Sequence, residues 1–212
     1  VVPVVCDFTE DRSIADLFDQ VRAERGGLDV YVHSVFNAGE FRSSIGQRFW
    51  ELPINMWTDL VDLGSRSAYV AAVHAAPLLM EADRGLIVHV SGRAASRYRY
   101  KVAYGVGKAA LDKMTADMAE ELRPEGVAVV SIWPSVTRTE HLIAAGRVDR
   151  NGVPPNEDLD SLETPRYSGR AVAALASDPA VMDRSGQRFW VAALAAEYGF
   201  TDENGRSHPI SV

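Results

Sequence analysis

Short runs of apolar, often β-branched residues alternate with amphipathic stretches along the whole chain, and this alternation limits the fold more than any other feature. The strand-like runs are "VVPVVCDF" (1–8), "LDVYVHSVF" (28–36), "GLIVHVSG" (85–92), "VAVVSIWP" (127–134) and the opening of "GQRFWVAALAAEYG" (186–199). Between the first two, Ile14, Leu17, Phe18 and Val21 fall at i, i+3, i+4 and i+7, one face of a helix that Gly26–Gly27 stops. A polar and aromatic loop over 37–55 leads to a long helix over about 56–82, with Pro77 placed to kink it. Further helices are predicted from 103 to the turn at 124–126 and over 166–177, with an irregular stretch between 135 and 164. Strand–helix alternation of this kind predicts an α/β fold, a parallel sheet covered on both faces.

The 212 residues suit a single domain over 1–212, and no low-complexity linker divides them. "GQRFW" occurs at 46–50 and 186–190 in unlike surroundings, which reads as coincidence and not as a repeat. A net charge of -7 weighs against nucleic acid and anionic membranes as partners. No apolar run has the roughly 18 residues of a membrane span. The lone Cys6 excludes an internal disulfide and fits a reducing, cytoplasmic setting. No His, Cys or Asp cluster has metal-site spacing.

Chemistry concentrates in "RYRYKVAYGVGKAALDK" (97–113). Of its three tyrosines only Tyr104 has a lysine four residues on, Lys108. On a helix that pair shares a face. A nearby ammonium stabilises a phenolate and lowers a phenol pKa from about 10, which suits acid–base work on an alcohol or carbonyl. Ser91 ends the strand "GLIVHVS", and ligands of parallel α/β sheets sit beyond the carboxyl ends of the strands. Alone, the Tyr–Lys pair also describes a packed tyrosine beside a solvated lysine.

The wider pattern resembles the short-chain dehydrogenase/reductase family, in which a strand-end Ser precedes the Tyr of a Tyr-x-x-x-Lys motif by 13 residues, as Ser91 precedes Tyr104 here. "VVCDFTED", "LDVYV", "IWPSVTRTE" and "SGQRFWVAALAAEYGF" are similar to further family segments, so the resemblance covers nearly the whole chain. It implies a Rossmann-like doubly wound parallel sheet and an NAD(P)-dependent oxidoreductase that interconverts an alcohol and a carbonyl. By that resemblance Tyr104 is the general acid/base, Lys108 tunes it and holds the nicotinamide ribose, and Ser91 polarises the substrate oxygen. Asp7 and Phe8 would lie against the adenine, and Pro134, Thr137 and Thr139 near the carboxamide. The partners implied are a small-molecule substrate and further copies of the chain, as a homo-dimer or tetramer.

The chain also departs from the family. His33 and Ser34 replace the asparagines after the fourth family strand, and His33 is read as a hydrogen-bonding substitute in a turn. Gly64 stands where the family's relay asparagine falls, and Pro134-Ser135 where Pro-Gly is usual. No Thr-Gly-x-x-x-Gly-x-Gly segment is present. The resemblance therefore places Val1 at the third family strand, with the first two strands and about 50–60 residues upstream on the usual domain size. The choice between NAD and NADP is set there. These departures favour an alternative, a catalytically inactive protein of the same fold that serves as a binding module or scaffold. The intact Ser–Tyr–Lys spacing opposes it.

"SRYRYK" is basic and aromatic. It reads as a substrate-pocket loop, with Arg93, Tyr98 and Tyr100 as lining, in preference to a nucleic-acid patch. Residues 41–50 and 141–162 are candidate lids or plain surface loops. His74 and His89 read as packed residues.

Overall fold

The computed structural model describes residues 1–37, 41, 44, 46–145 and 162–210. Four parallel strands form one sheet in the order β1 (Val30–His33), β2 (Gly85–Val90), β3 (Val127–Trp133) and β4 (Arg188–Trp190). The registers Val30↔Leu86, Gly85↔Val127 and Ser131↔Arg188 bring the carboxyl ends of the strands to one side. Every residue of β3 is buried, and all of β2 except Val90. Both strands are covered on two faces, which is why their sequences read as continuous apolar runs.

Alternate residues divide two cores. Ile87, Val127 and Val129 face α1 (Asp11–Arg25) and α2 (Ser67–Leu79), meeting Ile14, Phe18, Ala71, Ala75 and Leu78. Leu86, Val88, Ala128, Val130 and Ile132 face the opposite layer, where Tyr167, Ala171, Leu175 and Leu194 pack. That layer is built from α5 (Pro165–Ser177) and α6 (Val191–Tyr198). Large side chains buried this completely contribute about 1.5–3 kcal/mol each. Two further helices among the described residues are α3 (Val102–Leu122) and the short α4 (Glu140–Ala145).

The structure corrects two expectations. Residues 1–5 form no strand; Val1, Val2, Val4 and Val5 are exposed. Pro3 has no N–H to give a ladder, and none of the described strands pairs with this segment. The long helix is not uniform either. After an α-helical turn at Asn55–Trp57 it is π-helical over Thr58–Arg66 and becomes α2 only at Ser67. The π-helical stretch packs on α3 at Gly107, where a Cβ would overlap the Leu60 carbonyl oxygen. Residue 107 must be glycine for the two backbones to lie this close. No helix among the described residues is long and apolar enough to cross a membrane.

Candidate active site

The carboxyl end of β2 and the first turns of α3 are tied together twice. The Ser91 hydroxyl donates to the Lys108 carbonyl at 3.0 Å, and the Lys108 ammonium donates to the Val90 carbonyl at 2.9 Å. The ladder continues into the site, since the Ser91 N–H donates to the Ile132 carbonyl at 3.0 Å. One turn before Lys108, Tyr104 stands in an aromatic cluster with Phe41 at 5.0 Å and Phe36 and Tyr100 at 5.8 Å between ring centres. Its hydroxyl makes no hydrogen bond among the described residues. Tyr100, just before α3, holds φ at +65°, an uncommon conformation for a non-glycine residue and a local strain at the pocket wall.

These groups line one cavity of about 570 Å³. Ser91, Tyr104 and Lys108 line it, together with Pro134, Ser135, Thr137 and Thr139 from the chain beyond the end of β3. Arg93, Arg99, Tyr100 and Trp190 complete much of the wall. Six of the eight residues expected at the site are thus brought together. Asp7 and Phe8 lie outside the cavity lining. The Asp7 carboxylate accepts from the Thr9 N–H and hydroxyl, which hold its pKa below the usual range, and Phe8 sets an edge against the His33 ring at 6.0 Å.

The electrostatics differ from the sequence expectation. Tyr104 is not lowered. Burial first, and Tyr100 second, push its phenol up to about 12, with Arg99 pulling the other way. Burial lowers the Lys108 ammonium to about 8. The reason is geometric: the ammonium points to the Val90 carbonyl and stands 5.9 Å from the centre of the Tyr104 ring. At neutral pH the phenol therefore keeps its proton.

Three supporting residues escaped the sequence reading. Glu163 is buried and accepts from the Ser135 N–H at 2.8 Å, while its own backbone bridges Thr137, so it fixes the loop after β3. Burial raises its carboxyl to about 7. Asp112, on α3, accepts from the Ser131 hydroxyl at 2.7 Å and from the Trp133 indole at 3.2 Å. Lys101 is buried and donates to the carbonyls of Ser44 and Gln47, which fastens that loop to the start of α3. A buried lysine or glutamate carries no periodic signal, so none of these roles shows in spacing.

His33 is not in a turn, as expected, but at the end of β1 and buried. It accepts from the Tyr31 hydroxyl at Nδ1 (2.7 Å) and donates from Nε2 to the Gly64 carbonyl (3.0 Å). The carbonyl only accepts, which fixes the tautomer. His89 is packed, with Nδ1 on the Thr115 hydroxyl at 2.9 Å and a buried Nε2 that has no partner among the described residues. His74 stacks on Phe18. Among the described residues no group of His, Cys, Asp and Glu is placed to hold a metal. Of the candidate lids, residues 42, 43, 45 and 146–161 lie outside the described residues.

Comparison with known proteins places the chain in a family. Residues 1–191 match the family described as "Enoyl-(Acyl carrier protein) reductase". Dehydrogenase/reductase SDR family member 1 is 40% identical in Homo sapiens and 38% in Mus musculus, each over 97% of this chain and 68% of the relative. The chain belongs to the short-chain dehydrogenase/reductase family. This is a family of nicotinamide-dependent oxidoreductases with a Rossmann-like sheet, and the four strands found here follow that architecture. Among solved structures, a putative dehydrogenase from Xanthomonas campestris superposes with a TM-score of 0.77 at 20% identity, covering 98% of this chain and 74% of its own. A 7α-hydroxysteroid dehydrogenase complexed with NADH superposes at 0.71 and 19% identity, covering 96% and 73%. At such identities the likeness speaks for the fold alone.

Proposed function

We propose that the chain catalyses NAD(P)-dependent interconversion of an alcohol and a carbonyl compound, with Tyr104 as general acid/base. The observation that supports this reading is the meeting of Ser91, Tyr104 and Lys108 on one cavity that Thr137 and Thr139 also line. The donor set fits the nicotinamide half of the cofactor. Lys108 would bind ribose hydroxyls, and Thr137, Thr139 and the backbone at Pro134 would bind the carboxamide. Asp7 and Phe8, outside this cavity, remain the residues assigned to the adenine by family resemblance. The bound nicotinamide supplies the hydride.

In the direction of reduction, Tyr104 gives its proton to the substrate oxygen as negative charge develops there. A phenol that is protonated at neutral pH begins in the right state for that step. The Ser91 hydroxyl turns from the Lys108 carbonyl toward the same oxygen and stabilises it in the manner of an oxyanion hole. Lys108, with a pKa of about 8, returns a proton to the phenolate at neutral pH. The aromatic wall of Phe36, Phe41 and Tyr100 favours a bulky apolar body in the substrate. Exposed Tyr69 and Val73 on α2, with Val102 and Val106 on α3, support a homo-dimer or tetramer. The single Cys6 fits a cytoplasmic setting.

Lys108→Met tests the mechanism. Turnover of ketone panels with NADH or NADPH is expected to fall by about 10²-fold or more, with weaker cofactor binding by nicotinamide fluorescence. Undiminished turnover would overturn the assignment.

A further inference from the structure

A second cleft, of about 450 Å³, adjoins the catalytic cavity and shares Arg93, Arg99 and Tyr100 with it. Its other walls include Arg48, Arg97 and Tyr98. Four arginines therefore line one hollow in a chain whose net charge is -7. Like charges gathered this way repel, and the gathering needs a compensating partner. Among the described residues no carboxylate is ion-paired with Arg48, Arg93 or Arg97. Glu51 lies nearby, but its carboxylate accepts from the Arg48 backbone N–H at 2.6 Å. The Arg48 guanidinium lies over the ring of Trp50 at 5.9 Å, and that of Arg99 over the ring of Tyr100 at 5.0 Å. Burial, and the charges of Arg97 and Arg99, lower the affinity of Arg93 for its proton.

The cleft is also built. The Tyr98 hydroxyl donates to the Tyr100 carbonyl at 3.0 Å, and Lys101 fastens residues 44 and 47 to the start of α3. The loop that carries Arg93, Arg97 and Arg99 thus has a fixed relation to the loop that carries Arg48. Planar guanidinium forks match the oxygens of phosphate in pairs, and those of Arg48, Arg93 and Arg97 together exceed what one carboxylate needs.

We propose that this cleft is a substrate subsite for a phosphate-type group, so that the substrate is an apolar carbonyl or alcohol compound with a phosphorylated tail. The reacting carbon would sit at Tyr104 and the tail would run past Tyr100 into the arginines. The location of the reacting carbon rests on the oxidoreductase reading; the anion site does not.

The experiment uses two probes on the full chain. Inorganic pyrophosphate is titrated calorimetrically into wild type, the double variant Arg93→Gln with Arg97→Gln, the exposed single variant Arg97→Gln, and Tyr104→Phe. The double variant is expected to bind about tenfold more weakly, the single variant about threefold, and Tyr104→Phe as wild type. The single variant guards against a folding defect from half-buried Arg93. Acetophenone, 4-acetylbenzoate and 4-acetylphenyl phosphate are then compared as substrates. The phosphate is expected to gain about tenfold in kcat/KM over acetophenone, a gain absent in the double variant and larger than the carboxylate's. If no ketone is reduced while pyrophosphate binding still depends on the arginines, the subsite stands and the oxidoreductase reading falls. Equal pyrophosphate binding in wild type and the double variant overturns the subsite. A carboxylate gain equal to the phosphate's overturns the phosphate assignment. Arginine-dependent binding of a single-stranded RNA oligonucleotide, without any phosphate preference among the ketones, overturns the proposal in favour of a nucleic-acid surface.

Discussion

Two tyrosines, one buried on β1 and one half-buried on α3, behave in opposite ways. Tyr31, on β1, gives its hydroxyl to His33, which in turn holds the Gly64 carbonyl in the π-helical stretch. Tyr104, on α3, has a hydroxyl without a partner among the described residues and a cavity before it. Burial raises the pKa of both phenols. Their difference is access. A perturbed titratable group whose hydrogen bonds are all made within the fold is a fastening, whereas a similar group that opens on a cavity beside a lysine and a serine is a candidate for proton transfer. His33 teaches the same lesson, since a histidine near a pocket invites a catalytic role and the structure commits both its ring nitrogens to the scaffold.

The largest effect expected in the fastening region follows His33→Leu. It leaves the Gly64 carbonyl and the Tyr31 hydroxyl without their partner, and stability should fall by about 2–4 kcal/mol in urea denaturation near pH 7.5. The loss should depend on pH. Burial depresses the folded pKa of His33 from 6.5 to about 4. Between those values the unfolded chain binds more protons, so the stability this group permits is complete above about pH 6.5 and is lost as pH falls toward 4. The wild-type advantage over His33→Leu should shrink through that window. Glu163, raised by burial to about 7, slopes the opposite way in both proteins and cancels from the difference. A constant difference would show that His33 is not held neutral.

A much smaller effect is expected at Gly64. The fold uses its carbonyl, and a Cβ there would meet nothing within 4 Å. Gly64→Ala should therefore keep the His33 contact and change stability by less than about 1 kcal/mol, in the stabilising direction through helix propensity. A loss of several kcal/mol would mean that the π-helical backbone at this point needs glycine.

Much of the sheet was legible because buried parallel strands such as 85–90 and 127–133 are continuous apolar runs. The first predicted strand failed because a β-branched run says nothing about whether a neighbour is hydrogen-bonded to it. The Ser91–Tyr104–Lys108 set was legible because fixed sequence spacing maps onto a strand end and a helix face. The direction of the Tyr104 shift was not, since it depends on where the Lys108 ammonium points and on rings contributed by residues 36, 41 and 100. The arginine cleft was half legible. "SRYRYK" showed the charge, but only folding brings Arg48 beside it, some 45 residues away in sequence.

The contrast between the two tyrosines is tested most directly by making Tyr31→Phe and Tyr104→Phe side by side and measuring ketone turnover and stability for each. The account expects a double dissociation. Tyr104→Phe should lose about 10²-fold or more in turnover with stability nearly unchanged, and Tyr31→Phe should lose about 1 kcal/mol of stability with turnover within about twofold. Turnover retained in Tyr104→Phe, or lost in a well-folded Tyr31→Phe, would contradict it.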